Sequence, residues 1–504
     1  MRIRDRERSL PAALVIPALL AAIASLFPLL YLIDVAFDRG AVYIWDELWR
    51  RRTFDLISRS ITLAAAVTVA SVIIAVPAAW IVTRTDLAGR RAWRVVLALP
   101  LAIPSYLSAF AWVSWKPQLA GFWGALLVLT LASYPYVYLP VSAAFRRLDP
   151  ALDELAFIHG RSSILRLIAL SASQVRSSIA AGSLLVALYV LSDFGAVATM
   201  RFDAFTWVIY GAYRAGFNPS RAAVLALILV LIAVVLVAAE SVVRGRDVQT
   251  MTARSADPIP RVNLRSGAWS AHIFLIGVGA MSLAFPIWRV LVWVTGSGAD
   301  EGFRSVAEAL WGSIRYSAVA AVVTVLVALP VGILAGRYKT RSANLIERST
   351  YITHALPGVV IAISMVFIGV RLMTPIYLKA PLLVLAYVAL FLPVAVGGIR
   401  SIVSQIPREL DDVARSLGST PMQSVRRVSI PLIAPGIAAS FALVLLAAMK
   451  ELPVTMLLRP TGSDTLASKL WNFTSISDYA GAGPYALALI IFVAIPTAVA
   501  TSRS

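Results

Sequence analysis

The sequence predicts an all-α polytopic membrane protein, and three observations lead to that class. Of its 504 residues, 59% are hydrophobic and 14% are charged, whereas soluble proteins are near half apolar and a quarter charged. Apolar runs long enough to cross about 30 Å of hydrocarbon as helices recur along the chain. These runs lack the alternation of strands, which excludes an outer-membrane barrel and leaves helices, whose backbone groups are satisfied internally.

Twelve apolar runs are predicted to cross the membrane. The first follows a basic segment but contains about 27 apolar-rich residues, longer than the apolar region of a cleaved signal peptide, so we expect an uncleaved first span. In chain order the runs cover residues 10–36, 61–82, 95–114, 122–144, 178–200, 222–240, 268–294, 316–336, 351–372, 381–399, 436–458 and 484–500.

The net charge of +19 indicates topology rather than a nucleic-acid partner. Basic residues concentrate in the loops after the second, fourth, sixth, eighth and tenth runs, which the positive-inside rule places in the cytoplasm together with the N-terminus. Arg50, Arg51 and Arg52 are an exception on the opposite side. The chain has no cysteine, which excludes disulfides, thiolate metal sites and cysteine nucleophiles.

The chain contains two copies of one six-span module. Pro77 recurs as Pro330, 253 residues later, and the segment 154–201 aligns without a gap onto 412–459, 258 residues later. Because six spans is an even number, both copies have the same orientation and are related by an axis along the membrane normal. We predict a first permease module over 1–240, a cytoplasmic linker over 241–267 and a second module over 268–504.

Each module has a cytoplasmic loop with an acidic residue, a nearby alanine and then a glycine. An acidic residue at a helix start suits the helix dipole, and a glycine ends such a helix, so each loop is predicted to form a short helix that ends at its glycine. A soluble partner could seat on this small-residue surface. The residues are Glu154, Ala156 and Gly160 in the first loop, and Asp412, Ala414, Gly418 and Pro431 in the second.

These two loops resemble the EAA loop of ABC importer permeases. The second copy fits the family pattern almost fully, whereas the first departs from it at Leu155, Ala172 and Ser173. The resemblance implies a type I importer permease whose loops dock on two copies of an ATPase subunit, and a periplasmic substrate-binding protein as a further partner. No GxxxxGK[ST] phosphate loop occurs in the sequence, so we expect ATP on the partner subunit, no cofactor on this chain and no enzymatic activity.

Ionisable residues inside the predicted spans mark a candidate translocation pathway or outer gate. Asp193 lies in the fifth span, and Lys450 and Glu451 lie at the aligned place in the eleventh, in the outer third of the bilayer. Two interpretations are open. Lys450 pairs with Asp193 across the pseudo-twofold axis, or all three side chains extend to the outer surface.

The strings Leu191–Gly195, Lys450–Thr455 and Leu457–Pro460 resemble those of ferric-iron ABC permeases with fused halves. The resemblance implies import of Fe(III) across a bacterial inner membrane. Fe(III) is a hard cation that prefers carboxylate and phenolate oxygen, so Asp193, Glu451 and Tyr189 are candidates for transient contact with it, and no resident metal is expected. Related permeases carry thiamine, polyamines or sulfate, which are alternative substrates.

A twelve-span secondary carrier of the major facilitator type is the alternative class. Asp86 to Arg91 matches the D-x-x-G-R-R core of the loop motif of that class, but Val82 stands at the place of its preceding glycine. A proton-coupled carrier also favours acidic relays deep in the bundle, and here the acids are peripheral. A third class, a membrane-embedded hydrolase, is disfavoured because the sequence contains no GxSxG or HExxH motif.

Overall fold

The computed structural model describes residues 12–146, 175–214, 216, 218–244, 262–264, 267–296, 303–338, 340–353, 356–407, 410, 413, 416–418, 420, 423 and 430–503. Within these ranges the regular structure is helical, and a single isolated bridge joins Thr85 and Val262. The all-α prediction is confirmed.

The helices of the first half of the chain have the following bounds. They are α1 (Ala12–Phe37), α2 (Gly40–Leu48), α3 (Arg51–Arg84), α4 (Arg90–Ala98), α5 (Ser105–Trp115), α6 (Phe122–Ser133), α7 (Pro135–Phe145), α8 (Arg176–Ser192), α9 (Gly195–Thr199), α10 (Phe205–Arg214) and α11 (Pro219–Arg244). Short 3-10 turns, Leu99–Ala102 and Pro117–Leu119, lie on either side of α5.

The second half begins with α12 (Gly267–Gly279), which continues through a π-helical turn into α13 (Phe285–Gly296). The remaining helices are α14 (Phe303–Arg337), α15 (Arg341–Ile352), α16 (Gly358–Arg371), α17 (Ala380–Gln405), α18 (Ile430–Met449), α19 (Pro453–Leu458), α20 (Leu466–Ser475) and α21 (Tyr479–Arg503).

Each predicted apolar run coincides with an apolar helix or helix pair of the described chain. Nine are long enough to cross a membrane unbroken: α1, α3, α6 with α7, α11, α12 with α13, α14, α17, α18 and α21. A tenth run forms a bent pair, Arg90–Ala102 with Ser105–Trp115, and the shorter apolar helices α8 and α16 lie on two further runs. The chain is therefore a multi-pass membrane protein.

Three predicted runs are not continuous helices. The run 95–114 bends by 89° at Pro104, which has no N–H to donate and disfavours a helical conformation in the residue before it; Ile103 accordingly has ψ of 122°. The runs 178–200 and 436–458 break around residues 193–194 and 450–452, where a long helix ends and a short one begins. The average hydropathy of a run does not reveal such a break, because the residues before and after the break are apolar.

The helices group into two compact units that do not follow the order of the sequence. One unit contains Met1–Asp38 and Ala307–Ser468, and within it α1 packs against α15, α16 and α17. The other contains Arg39–Val306 and Lys469–Ser504, and within it α21 packs against α13 and α4. The predicted boundaries at 240 and 268 concern the duplicated sequence, and they stay a prediction.

Most of the predicted linker lies outside the described residues, but Val262 and Leu264 are held against the loop that follows α3. The backbone N–H of Val262 donates to the carbonyl of Arg84 at 2.9 Å, and that of Leu264 donates to Oδ1 of Asp86 at 3.1 Å. Asp86, which matched the carrier motif in the sequence, therefore anchors the end of the linker.

Candidate coupling loop and translocation site

The second cytoplasmic loop is described in part. Glu154, Ala156, Gly160, Asp412 and Ala414 lie outside the described residues, whereas Gly418 and Pro431 lie within them. Gly418 has φ of +84° with open space around it, and it follows a helical turn in which Leu417 N–H donates to the Val413 carbonyl at 3.1 Å. A left-handed residue after a helical turn is the usual place of a helix-ending glycine, which agrees with the predicted role.

Exposed apolar side chains precede Gly418. Leu410, Val413 and Leu417 are 40%, 53% and 81% exposed. Their spacing of three and then four residues places them on one face of a helix. Large apolar side chains clustered on a loop surface are typical of a site that a partner covers.

Thr420 and Gln423, which follow Gly418, form the hydrogen bonds of a helix start. Thr420 N–H donates to Gln423 Oε1 at 3.0 Å, and Gln423 N–H donates to Thr420 Oγ1 at 3.3 Å. This reciprocal pair is a capping box. The loop therefore has two helix-terminus signals, an ending at Gly418 and a beginning at Thr420.

Asp193 lies between α8 and α9 and is 8% exposed. Its Oδ1 accepts the backbone N–H of Ala196 at 2.8 Å, and its Oδ2 accepts the hydroxyl of Ser105. Its carbonyl accepts the Thr206 hydroxyl at 2.6 Å. Both carboxylate oxygens thus accept hydrogen bonds at the helix break, and the side chain is buried there.

Aromatic rings surround the residue that follows Asp193. The Phe194 ring lies 5.0 Å from Tyr210, 5.6 Å from Trp471 and 6.0 Å from Trp207. Phe110 contacts Trp471 at 5.5 Å. Such contacts between aromatic rings, at centroid distances of about 4.5–7 Å, add to the burial of apolar area, and they fix the position of the break.

Glu451 lies in the corresponding break between α18 and α19. Its Oε2 accepts the backbone N–H of Val454 at 3.0 Å, and its carbonyl accepts the Thr455 hydroxyl at 2.7 Å. The buried Tyr387 hydroxyl lies 2.5 Å from that threonine hydroxyl. Glu451 is thus held in place in the same way as Asp193, and the two are 258 residues apart in the aligned modules.

The residue opposite each carboxylate differs in size. Ser105 follows Pro104 and donates to Asp193, whereas Gly358 follows Pro357 at the equivalent place 253 residues later. A Cβ atom on Gly358 would lie 2.5 Å from Glu451 Oε1. Gly358 therefore leaves space for the longer side chain of Glu451, whereas Ser105 extends far enough to donate a hydrogen bond to the shorter side chain of Asp193.

The other predicted pathway residues lie close by in sequence. Tyr189 is half-buried in α8, with its ring 5.3 Å from that of Tyr136, and Lys450 is half-buried next to Glu451. The pairing of Lys450 with Asp193 stays a prediction. Sequence reasoning missed Ser105 and Gly358, although each comes directly after one of the duplicated prolines.

The described residues contain no group of three or more His, Cys, Asp or Glu side chains that could hold a metal ion. A cation that contacts Asp193 would have to replace hydrogen bonds with Ser105 and Ala196 that the carboxylate already accepts. This arrangement favours a role for Asp193 in holding the broken helix.

The described chain combines apolar spans with two broken helices that have equivalent carboxylates, and it has an exposed cytoplasmic-type loop with apolar side chains. These features are those expected of a membrane permease with a soluble partner. The family model of the binding-protein-dependent transport system inner membrane component matches residues 328–502. The chain is 33% identical over 476 residues to the Fe(3+)-transport system permease protein FbpB 2 of Haemophilus influenzae, a match that spans 93% of this chain and 94% of that protein. The chain therefore belongs to the permeases of binding-protein-dependent ABC transport systems.

Other relatives are permeases named for different solutes. The trehalose transport system permease protein SugB of Mycobacterium tuberculosis is 32% identical over 124 residues, which are 23% of this chain and 45% of SugB. The putative 2-aminoethylphosphonate transport system permease protein PhnV of Salmonella typhimurium is 23% identical over 243 residues, which are 46% of this chain and 91% of PhnV.

Membership of this family has three consequences. The chain is a transport subunit rather than an enzyme, and ATP is hydrolysed by a separate subunit. An ATPase and a substrate-binding protein are its partners in general terms. The secondary-carrier alternative is set aside, and Asp86, the first residue of the D-x-x-G-R-R match, accepts a hydrogen bond from the linker.

Proposed function

We propose that this permease moves ferric iron from a periplasmic binding protein across the inner membrane. The observation that carries the proposal is the 33% identity over 93% of the chain with a permease named for Fe(3+) transport. The strings around Asp193 and Glu451, which resemble those of ferric-iron permeases, support the same substrate. Thiamine, polyamines and sulfate remain the alternative substrates.

The coupling surface of this proposal consists of the two cytoplasmic loops, at Glu154, Ala156 and Gly160 and at Asp412, Ala414, Gly418 and Pro431. The exposed row Leu410, Val413 and Leu417 supports docking of the second loop on an apolar groove. Two modules imply two docking sites and hence two ATPase copies for each chain, with ATP bound by those subunits and no cofactor on this one.

The transport cycle proposed is alternating access. ATP brings the two ATPase subunits together, their movement is transmitted through the loops, and the helices rearrange to open outward. Asp193, Glu451, Lys450 and Tyr189 are assigned to the outer gate, with the two carboxylates holding the broken helices rather than binding cargo permanently. The proposed orientation has the N-terminus in the cytoplasm, and the distribution of basic residues supports it.

Uptake measurements test the substrate. Iron-starved cells that express the chain with its ATPase and binding protein are given labelled Fe(III), thiamine, spermidine or sulfate in separate assays. We expect accumulation of iron alone, relative to cells that carry the ATPase and binding protein without the permease. Accumulation of one of the other solutes, with iron unchanged, would replace the substrate assignment but leave the permease assignment in place.

A further inference from the structure

The segment between the first two spans contains a basic cluster that neither the coupling loops nor the outer gate uses. Arg50, Arg51 and Arg52 are consecutive and exposed. The predicted topology assigns them to the side of the membrane where the positive-inside rule disfavours arginine. A cluster placed against this general trend calls for its own physical explanation.

The helix that precedes these arginines is firmly held. Glu47 on α2 is 1% exposed and pairs with Arg221 at 2.8 Å and with Arg50 at 2.7 Å. The Tyr43 hydroxyl accepts a hydrogen bond from the Asn218 amide at 3.2 Å. Arg50 thus has an internal partner, whereas Arg51 and Arg52 have no ion pair with any residue that the structure describes.

A row of exposed aromatic rings lies next to these arginines. Trp45 and Trp49 are 62% and 61% exposed, and Phe54 is 48% exposed. The ring centroids of Trp45 and Trp49 are 5.6 Å apart, and those of Trp49 and Phe54 are 5.8 Å apart. Such a row is costly in water, so an apolar surface is expected to cover it.

The row is continuous with the lipid-facing side of α3. Ile61, Val69 and Ile73 on that span are 46%, 58% and 64% exposed, as expected for side chains in contact with lipid tails. The 34 residues of α3 extend about 51 Å, longer than the roughly 40–45 Å of a bilayer with its headgroups. Because the predicted span begins at residue 61, the first ten residues of α3, with Arg51 and Arg52, extend beyond the hydrocarbon core on the headgroup side.

We propose that Arg51 and Arg52, together with Trp45, Trp49 and Phe54, bind the headgroup of an anionic phospholipid. The guanidinium groups match the phosphate geometrically, since arginine donates two parallel hydrogen bonds to such groups. Tryptophan rings are favoured at the boundary between headgroups and acyl chains. A phospholipid has a phosphate for the two arginines and acyl chains that can cover the aromatic row, whereas a free phosphate ion can bind the arginines only.

Native mass spectrometry of the purified full-length chain tests the site. The probes are phosphatidylglycerol, phosphatidylcholine and glycerol 3-phosphate, added at equal concentrations to wild-type protein and to the double variant Arg51→Gln, Arg52→Gln. The matched control is Arg341→Gln, Arg348→Gln, which removes two exposed arginines from α15. We expect retained phosphatidylglycerol to fall about tenfold or more in the first variant only, with no change for phosphatidylcholine.

Several results would overturn the proposal. Equal retention of phosphatidylglycerol by wild type and the Arg51/Arg52 variant removes the site, and equal loss in both variants reduces the effect to overall charge. Tight retention of glycerol 3-phosphate identifies a site for a free anion. A variant that keeps its lipid but no longer binds the periplasmic protein identifies the patch as a protein interface. An unchanged unfolding temperature of both variants excludes misfolding, because both arginine pairs are exposed.

Discussion

Asp193 and Glu451 have equivalent positions in the two aligned segments of the sequence, but the residues opposite them are not interchangeable. Ser105 donates a hydrogen bond to the shorter carboxylate, and Gly358 leaves room for the longer one. Two side chains thus change together between the modules, one becoming longer as the other becomes smaller. A close-packed helix interface responds to even one added methylene.

Replacement of Gly358 by serine tests this matching of sizes. The new Cβ atom would lie 2.5 Å from Glu451 Oε1, so the end of the glutamate side chain must move, which disturbs its hydrogen bond with the Val454 N–H. We expect a loss of about 1 kcal/mol in stability and reduced uptake. The double variant Gly358→Ser, Glu451→Asp recreates the pair found at Ser105 and Asp193. We expect it to recover most of the lost stability and most of the lost uptake. The measurements are unfolding temperature and uptake per copy, and a double variant as impaired as the single one would contradict the explanation.

Substitutions of Asp193 separate a structural role from cargo binding. Asparagine retains an oxygen that can accept the Ala196 N–H, so Asp193→Asn should keep uptake within about threefold of wild type, a difference of less than 1 kcal/mol. Asp193→Ala removes both acceptors and should abolish most uptake. If asparagine and alanine are equally inactive in proteins of normal abundance, the negative charge itself is required and the gate role is insufficient.

The coupling element exposes its apolar residues for a partner rather than for its own core. Leu417 is 81% exposed, so Leu417→Asp should leave the unfolding temperature of the permease unchanged while reducing co-purification of the ATPase. Ile476→Asp is the control, because Ile476 is 74% exposed between α20 and α21, in a segment that the predicted topology assigns to the opposite side of the membrane. Equal loss of ATPase from both variants, or from neither, would argue against docking through Leu417.

The linker element depends on Asp86. Asp86→Ala removes the acceptor for the Leu264 N–H, whereas Asp86→Asn retains one. We expect faster trypsin cleavage in the arginine-rich segment 241–267 of the alanine variant alone, measured as the half-life of the intact chain. Identical cleavage of the alanine variant and wild type would contradict this role of the Asp86 side chain and would mean that the backbone hydrogen bonds of Val262 with Arg84 and Asp86 suffice to hold the linker.

At the scale of the whole molecule, the class and the positions of the spans follow from hydropathy, and the duplicated prolines indicate two modules. The 89° bend at Pro104 could be suspected from proline, but its angle depends on packing around the helix ends. The grouping of α1 with helices of the second half is not predictable from hydropathy. All the spans are apolar, so hydropathy does not distinguish which of them pack against one another. Ser105 and Gly358 carry no charge, so their roles emerge only from the contacts.

The central claim, that an ATPase drives this permease through both cytoplasmic loops, is tested most directly by iron uptake in the double variant Gly160→Asp, Gly418→Asp. Gly89→Asp is the matched control, because Gly89 and Gly418 have φ of +71° and +84° and both have open space around them. With normal abundance of all proteins, we predict uptake near background in the double variant and near wild type in the control. Undiminished iron uptake in the double variant would contradict coupling through these loops.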